Sequence, residues 1–359
     1  MMAISTKYPG RKPGKPWYHK LIIGVLSLAL FCAMIMAILL FQAVMKPNVW
    51  TPDGESTSVY IPEGSAYDDV KQIFYSQGLI INRRTFEWMA DRKGYPDLVK
   101  PGHYVIDPRM NNNDLVNLLR SGAQTPVRVV FNNIRTLEEL AGRISMQIDE
   151  DSVSLLECWR NREFLQTLEL QPALVPVIFI PNTYELWWTT DACGFTLRMH
   201  SEFNKFWNAD RKQKAADAGL TVPEVVILAS IIEKESQKID ERPDIAGVYL
   251  NRLRKGWPLQ ADPTLVFAWG DFEITRVLNR HKTIDSPYNT YKYKGLPPGP
   301  ICIPSISSID AVLNAHRHDY MFFCARDDMS GYHVFSRTLS EHNRHARAYQ
   351  RALNTRNIR

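Results

Sequence analysis

Apolar and polar positions fall into blocks along the chain, and one block, Leu21 to Phe41, carries no charge across its 21 residues. As a helix it would rise roughly 30 Å, the thickness of a bilayer's hydrocarbon core. Downstream the blocks shorten to the lengths of a globular fold. VYIPEGSAYDDVKQI, starting at Val59, reads as a strand, a Pro-Glu-Gly turn and a helix with Val70, Ile73 and Phe74 on one face. A second helix is predicted over Arg84 to Arg92, with Phe86 and Met89 inside. GHYVI then returns as a strand, and NDLVNLLRSG is a helix closed by Gly122. VRVVFNNIRTLEELAGRI, from Val127, repeats the order strand, turn, helix. From Asp151 to Gly219 the pattern is helical, interrupted by the proline-rich VPVIFIPNTYELWW.

The block with the strongest internal contrast is VVILASIIEKES, Val225 to Ser236, where an apolar run meets a charged close. Thr221, Val222, Pro223 and Glu224 supply a Thr-x-x-Glu capping box with proline in the first turn, so a helix starts there. At ~100° per residue Leu228, Ile231, Ile232 and Glu235 share a face, whereas Glu233 points roughly 200° away from Glu235. Glu235 therefore ends a buried stripe, where desolvation raises a carboxyl pKa and keeps it protonated, as a general acid requires. Glu233 is expected on a wetter side, ionised and in an ion pair. The plainer reading of Glu235 is a solvated residue in a last helical turn.

ERPDIAGVYLNRLRKG makes the next helix, with Ile245, Val248 and Tyr249 inward and Gly256 as its stop. WPLQADPT reads as a polar loop whose DPT turn aims Gln260 and Asp262 at a neighbouring site, and SPYNTYKYKGLPPGPICIPS as a long structured loop. A helix over Ser307 to His316, strands around Tyr320 to Cys324 and Tyr332 to Ser336, and a helix over Ser340 to Leu353 complete an α+β chain.

Composition narrows the class. The 359 residues are 45% hydrophobic, ample for one large or two medium domains, and a formal net charge of +5 is too mild to mark a nucleic-acid binder. Lys7, Arg11, Lys12, Lys15 and Lys20 precede the apolar block. That block is longer than the roughly 7 to 15 residues of a signal peptide's apolar region, it ends in FQAVMKP, and Cys32 follows Phe31 rather than a small residue. The expectation is an uncleaved anchor with a cytoplasmic N-terminus. The predicted organisation is a basic tail over 1–20, a transmembrane helix over 21–45, a tether over 46–57, a small α+β module over 58–125 and a larger mixed α+β domain over 126–359.

Cys158, Cys193, Cys302 and Cys324 fall in the exported part, where disulfides are permitted; their spacing matches no metal site and their pairing stays open. HRHD at His316 and HNRH at His342 depart from the His-Glu-x-x-His pattern and read as surface residues. No Gly-rich phosphate loop is present, so no cofactor is expected.

ASIIEKES at Ala229, VYLNRLRKGWPLQADPT at Val248, SPYNTYKYKGLPPGPI at Ser286 and YHVFSRTLSEHNRHARAY at Tyr332 together resemble the membrane-bound endolytic murein transglycosylases, the YceG-like family also called MltG. The module over 58–125 resembles a LysM-like glycan-binding unit; the alternative is a spacer packed on the next domain. Departures are Asn182, where the family often has aspartate, and a shorter stretch between Trp269 and Thr283.

The family resemblance implies non-hydrolytic cleavage of the β-1,4 bond between N-acetylmuramic acid and N-acetylglucosamine in peptidoglycan, at the inner membrane facing the periplasm, beside peptidoglycan synthases. The family's catalytic glutamate falls on Glu235. Gln260, Tyr288 and Asn289 are then candidates to hold N-acetyl groups or steady developing charge. Asp262 either joins them or caps its own turn. Tyr184, with Trp187 and Trp188, is a sugar-stacking platform or core packing. Two other readings stand: a hydrolase pairing Glu235 with Asp262 or Glu185, and an anchored glycan-binding scaffold.

Overall fold

A computed structural model describes residues 10 and 17–355; the tail residues Lys7, Arg11, Lys12 and Lys15 lie outside the described residues. The chain divides into two compact units, one ending at Thr125 and the other beginning at Pro126.

The first unit opens with α1 (Trp17–Met45), 29 residues with no buried side chain. It is the one helix among the described residues that is long and apolar enough by itself to cross a membrane. Then follow β1 (Thr57–Ile61), α2 (Tyr67–Ser76), α3 (Arg83–Arg92), β2 (Gly102–Ile106) and α4 (Asn112–Ser121), with β1 and β2 antiparallel and Val59 opposite Tyr104. Alternation along β1 sends Val59 and Ile61 to one face, where they meet Val70, Phe74, Phe86, Leu115 and Leu119. Asn82 and Asn111 cap α3 and α4, each accepting a backbone N–H from the first turn.

The segment expected as a tether is stitched to this unit instead. Pro47 and Val49 bridge to Asn111 and Ile80. Buried Asn48 donates to Asn82 O at 3.0 Å and Asn112 Oδ1 at 2.6 Å, and accepts from Asn82 N at 2.7 Å. The edge bonds come from Asn48 and Trp50, whose backbone N–H groups donate to Met110 O and Leu79 O.

The second unit contains β3 (Val127–Phe131), α5 (Leu137–Ser145), α6 (Ser152–Arg160), α7 (Arg162–Thr167), β4 (Asn182–Leu186), α8 (Ala192–Phe206), α9 (Ala209–Ala218), α10 (Val222–Glu235), α11 (Arg242–Arg254), α12 (Asp262–Trp269), α13 (Ile306–Leu313), β5 (Phe322–Ala325), β6 (His333–Ser336) and α14 (Leu339–Thr355). The stretch expected only as an interruption is a 3-10 turn over Pro172–Ile178 followed by β4, which pairs antiparallel with β3. Pro176 lies within the 3-10 turn and Pro181 immediately precedes the strand, so neither breaks it. Cys158 on α6 and Cys193 on α8 bring their sulfurs to 2.6 Å.

α10 is the axis of the second core. Every residue from Val225 to Ile232 is buried, so the helix is enclosed all round rather than along one stripe. It packs against α9, α11, α12 and α13. The long loop after residue 286 runs beside it, with Ile301 N donating to the buried Ser230 hydroxyl at 3.0 Å. Gly299 lets the same loop pass close to the 3-10 turn: a Cβ there would lie 2.3 Å from Ala173 O.

Candidate active site

Glu235 is the last residue of α10, and α11 runs back past it so that Tyr249 hydroxyl donates to Glu235 Oε1 at 2.5 Å. Tyr249 is buried and its ring meets Phe323 edge-on. One turn further along α11, buried Arg252 spends its donors on the Met321 carbonyl at 2.8 Å and the Leu259 carbonyl at 2.5 Å. It is a fixed positive charge near Glu235 that forms no ion pair with it.

A cavity of about 490 Å³ opens on this carboxyl, lined among others by Asp262, Phe267, Phe272, Arg276 and Ile301. Glu235 keeps some accessible surface, as a cavity-lining group must. Protein encloses the rest of it, and burial pushes its pKa up to about 7, with the Asp262 carboxylate adding to the rise and the Tyr249 hydrogen bond and Arg252 opposing it. At neutral pH both protonation states are populated, so the group can give a proton and take one back.

The neighbouring carboxylate behaves oppositely. Glu233 Oε2 accepts from Ser305 Oγ at 2.5 Å, from Ser308 Oγ and from Arg242 Nη1 at 3.2 Å. Burial would raise its pKa, but these hydroxyls and the guanidinium outweigh burial and hold it below the usual value. The ion pair expected of Glu233 is present; the wet surroundings are not, because the serine-rich start of α13 covers it.

The other site candidates divide. Asp262 lines the cavity from the N-terminus of α12 and accepts from Tyr291 hydroxyl at 2.5 Å. DPT is thus the first turn of a helix rather than a loop turn, proline being at home there. Gln260 is exposed, with left-handed φ of 51°, and its backbone N–H donates to Thr290 O; it is not among the cavity's lining residues. Tyr288 stands behind the wall, its ring 4.8 Å from that of Phe267.

Asn289 is fully buried and staples its own loop, donating to Lys282 O and Ile284 O and accepting from Tyr291 N and Lys292 N, which leaves nothing for a ligand. Tyr184 is core: it stacks on Phe131 and its hydroxyl donates to Ile180 O. Glu185 is exposed on β4, away from the cavity lining. His316 pairs with Asp244 at 2.9 Å, and His318 bonds the Asp244 carbonyl.

Sequence reasoning missed Tyr249 and the cavity wall at residues 272–277. Tyr249 sits on an apolar face and reads as core; its one signal was a hydroxyl that, once buried, needs an acceptor.

Residues 59–348 match the profile of the YceG-like family. The chain belongs to that family. A crystal structure of a YceG-like protein from Listeria monocytogenes aligns with a TM-score of 0.55 at 30% identity, covering 81% of this chain and 98% of that one. A Bacillus subtilis protein named endolytic murein transglycosylase is 27% identical over 317 residues, covering 83% of this chain and 86% of its own. A Streptococcus pneumoniae protein of the same name is 28% identical over 320 residues, 80% of this chain but 57% of its own length. The YceG-like match takes in Glu235, Tyr249, Arg252 and Asp262.

Proposed function

We propose that this chain is a membrane-anchored endolytic lytic transglycosylase that cuts the β-1,4 bond between N-acetylmuramic acid and N-acetylglucosamine within peptidoglycan strands. The observation that carries this reading is the Glu235 carboxyl, enclosed by protein yet lining a cavity, with burial pushing its pKa up to about 7. The names of the relatives support the substrate. Protonated Glu235 donates to the glycosidic oxygen as the bond breaks. The resulting carboxylate then takes the proton from the muramic acid C6 hydroxyl, whose oxygen closes a 1,6-anhydro ring on the oxocarbenium-like carbon with the advantage of an intramolecular attack. Tyr249 fixes one carboxylate oxygen, leaving the other for substrate.

In this reading α1 is a single-pass anchor in the inner membrane with its N-terminus in the cytoplasm. Residues 58–125 serve as a LysM-like glycan-binding module, and residues 126–359 act in the periplasm, ending strands made by nearby synthases. Mass spectrometry of fragments released from sacculi by the purified full chain is expected to find 1,6-anhydro ends. Reducing ends instead would favour hydrolysis with Asp262, which shares the cavity, as second carboxylate.

The pH profile offers an independent check. Activity needs the protonated acid, so kcat/KM falls as pH rises past about 7. Tyr249→Phe removes a bond to the charged form and should move that alkaline limb up by roughly one pH unit, whereas Asp262→Asn removes a like charge and should move it down. Profiles that coincide for all three proteins would detach the limb from Glu235.

A further inference from the structure

The wall of the Glu235 cavity holds three cations, Arg135, Lys234 and Arg276, against two carboxylates, Glu235 and Asp262. None of the three has a carboxylate partner among the described residues. Arg135, in the turn between β3 and α5, lies with its guanidinium 4.5 Å from the centre of the Phe272 ring. Lys234 Nζ reaches Asn133 Oδ1 at 3.4 Å. Arg276 is exposed and makes no polar contact among the described residues.

A second hollow of about 350 Å³ shares Arg135, Lys234 and Phe272, so two of the three cations stand where two cavities meet. Glu139 lines that hollow, but its carboxylate caps the start of α5 by accepting Arg135 N at 2.9 Å. The charge state of Glu235 does not call for these groups either, since the cation acting on it is Arg252.

A guanidinium lying over an aromatic ring, with an ammonium and a second guanidinium on the same wall, has the chemistry to receive a carboxylate. The geometry points to a carboxylate subsite in which Arg135, Lys234 and Arg276 hold the stem peptide borne by the muramic acid at the cleaved bond. This rests on the substrate reading above and deepens it. The lactyl group that carries the peptide is on the same sugar as the reacting carbon, so a sugar placed over Glu235 directs its peptide acids at the adjoining wall. The cavity thereby selects strands that still carry peptides with free acids.

The test uses the full-length Glu235→Gln protein in detergent, which binds without turnover. Affinity is measured by titration calorimetry for three probes: glycan fragments bearing peptides with free carboxylates, the same fragments with those carboxylates amidated, and peptide-free fragments. The free-carboxylate probe should bind about tenfold tighter than the other two. Adding Arg135→Gln, Lys234→Gln and Arg276→Gln should erase that preference by lowering the affinity for the free-carboxylate probe to that for the amidated one. Lys234→Glu alone should tip the preference toward the amidated probe.

Equal binding of all probes by the parent protein would overturn the subsite, as would a preference that survives in the triple variant. Product analysis of the wild-type chain keeps the two readings apart. Missing 1,6-anhydro ends with the preference intact would sink the reaction and leave the subsite standing, and the converse result would sink the subsite alone.

Discussion

Glu235→Gln is expected to lower the rate of 1,6-anhydro product formation by about a thousandfold, within the range that a positioned general acid contributes. The amide has nearly the same shape, and its oxygen can still accept the Tyr249 hydroxyl. What it lacks is a proton to give. The same variant should be more stable than the wild type in alkali. Folding raises the Glu235 pKa from an ordinary 4.5 to about 7, so the folded state holds a proton that the unfolded chain releases between those values. Its stabilising share is complete below about pH 4.5 and is lost as pH rises through 7. Above that, an ionised carboxylate in a dry site costs up to about 3 kcal/mol. Glutamine has no such cost. Its melting temperature should exceed the wild type's by several degrees at pH 8 and match it near pH 4.5. An equal gap at both pH values, or none, would mean that the carboxyl is solvated and unfit for the acid role.

How much of this could be read in advance follows the range of the interactions involved. The start of α10 was legible because its signals are local: a threonine, a proline and a glutamate within four residues write a capping box. β1, β2 and α4 were legible for the same reason, through alternation along the strands and Gly122 at the helix end. β4 was not, since its partner β3 lies some fifty residues earlier and the prolines before it read as interruption. α12 was lost to an ambiguity, because Asp-Pro opens turns and helices alike.

At the site itself, helical spacing put Glu235 at the end of an apolar stripe, and the structure encloses most of it while leaving it on the cavity wall. The same spacing put Glu233 in water, because it cannot see Ser305 and Ser308 arriving from seventy residues away. Asn289, in a polar loop beside the site, looked like a ligand-binding amide. Its four hydrogen bonds are all consumed in shaping that loop.

The contrast between the two glutamates sets up the other large effect. Glu233→Gln is expected to unfold the protein far more readily while leaving the chemistry of the folded fraction in place. Buried Arg242 donates to Glu233 Oε2, to the Ser236 carbonyl at 3.1 Å and to Ser308 Oγ at 2.8 Å, and Glu233 is the one carboxylate in that group. Without it a guanidinium stays enclosed with no counter-charge, a loss of about 3–5 kcal/mol and roughly 10 °C in melting temperature. The pH dependence has the opposite sign to that of Glu235. Folding holds the Glu233 pKa below its ordinary 4.5, so its contribution is present above that value and disappears as pH falls through the depressed one. The gap between wild type and variant should therefore be widest near neutrality and close in acid. Turnover measured well below the melting point should follow the amount of folded protein, since Glu233 is outside the cavity lining. A Glu233→Gln protein that melts like the wild type but releases no product would exchange the roles assigned to the two residues.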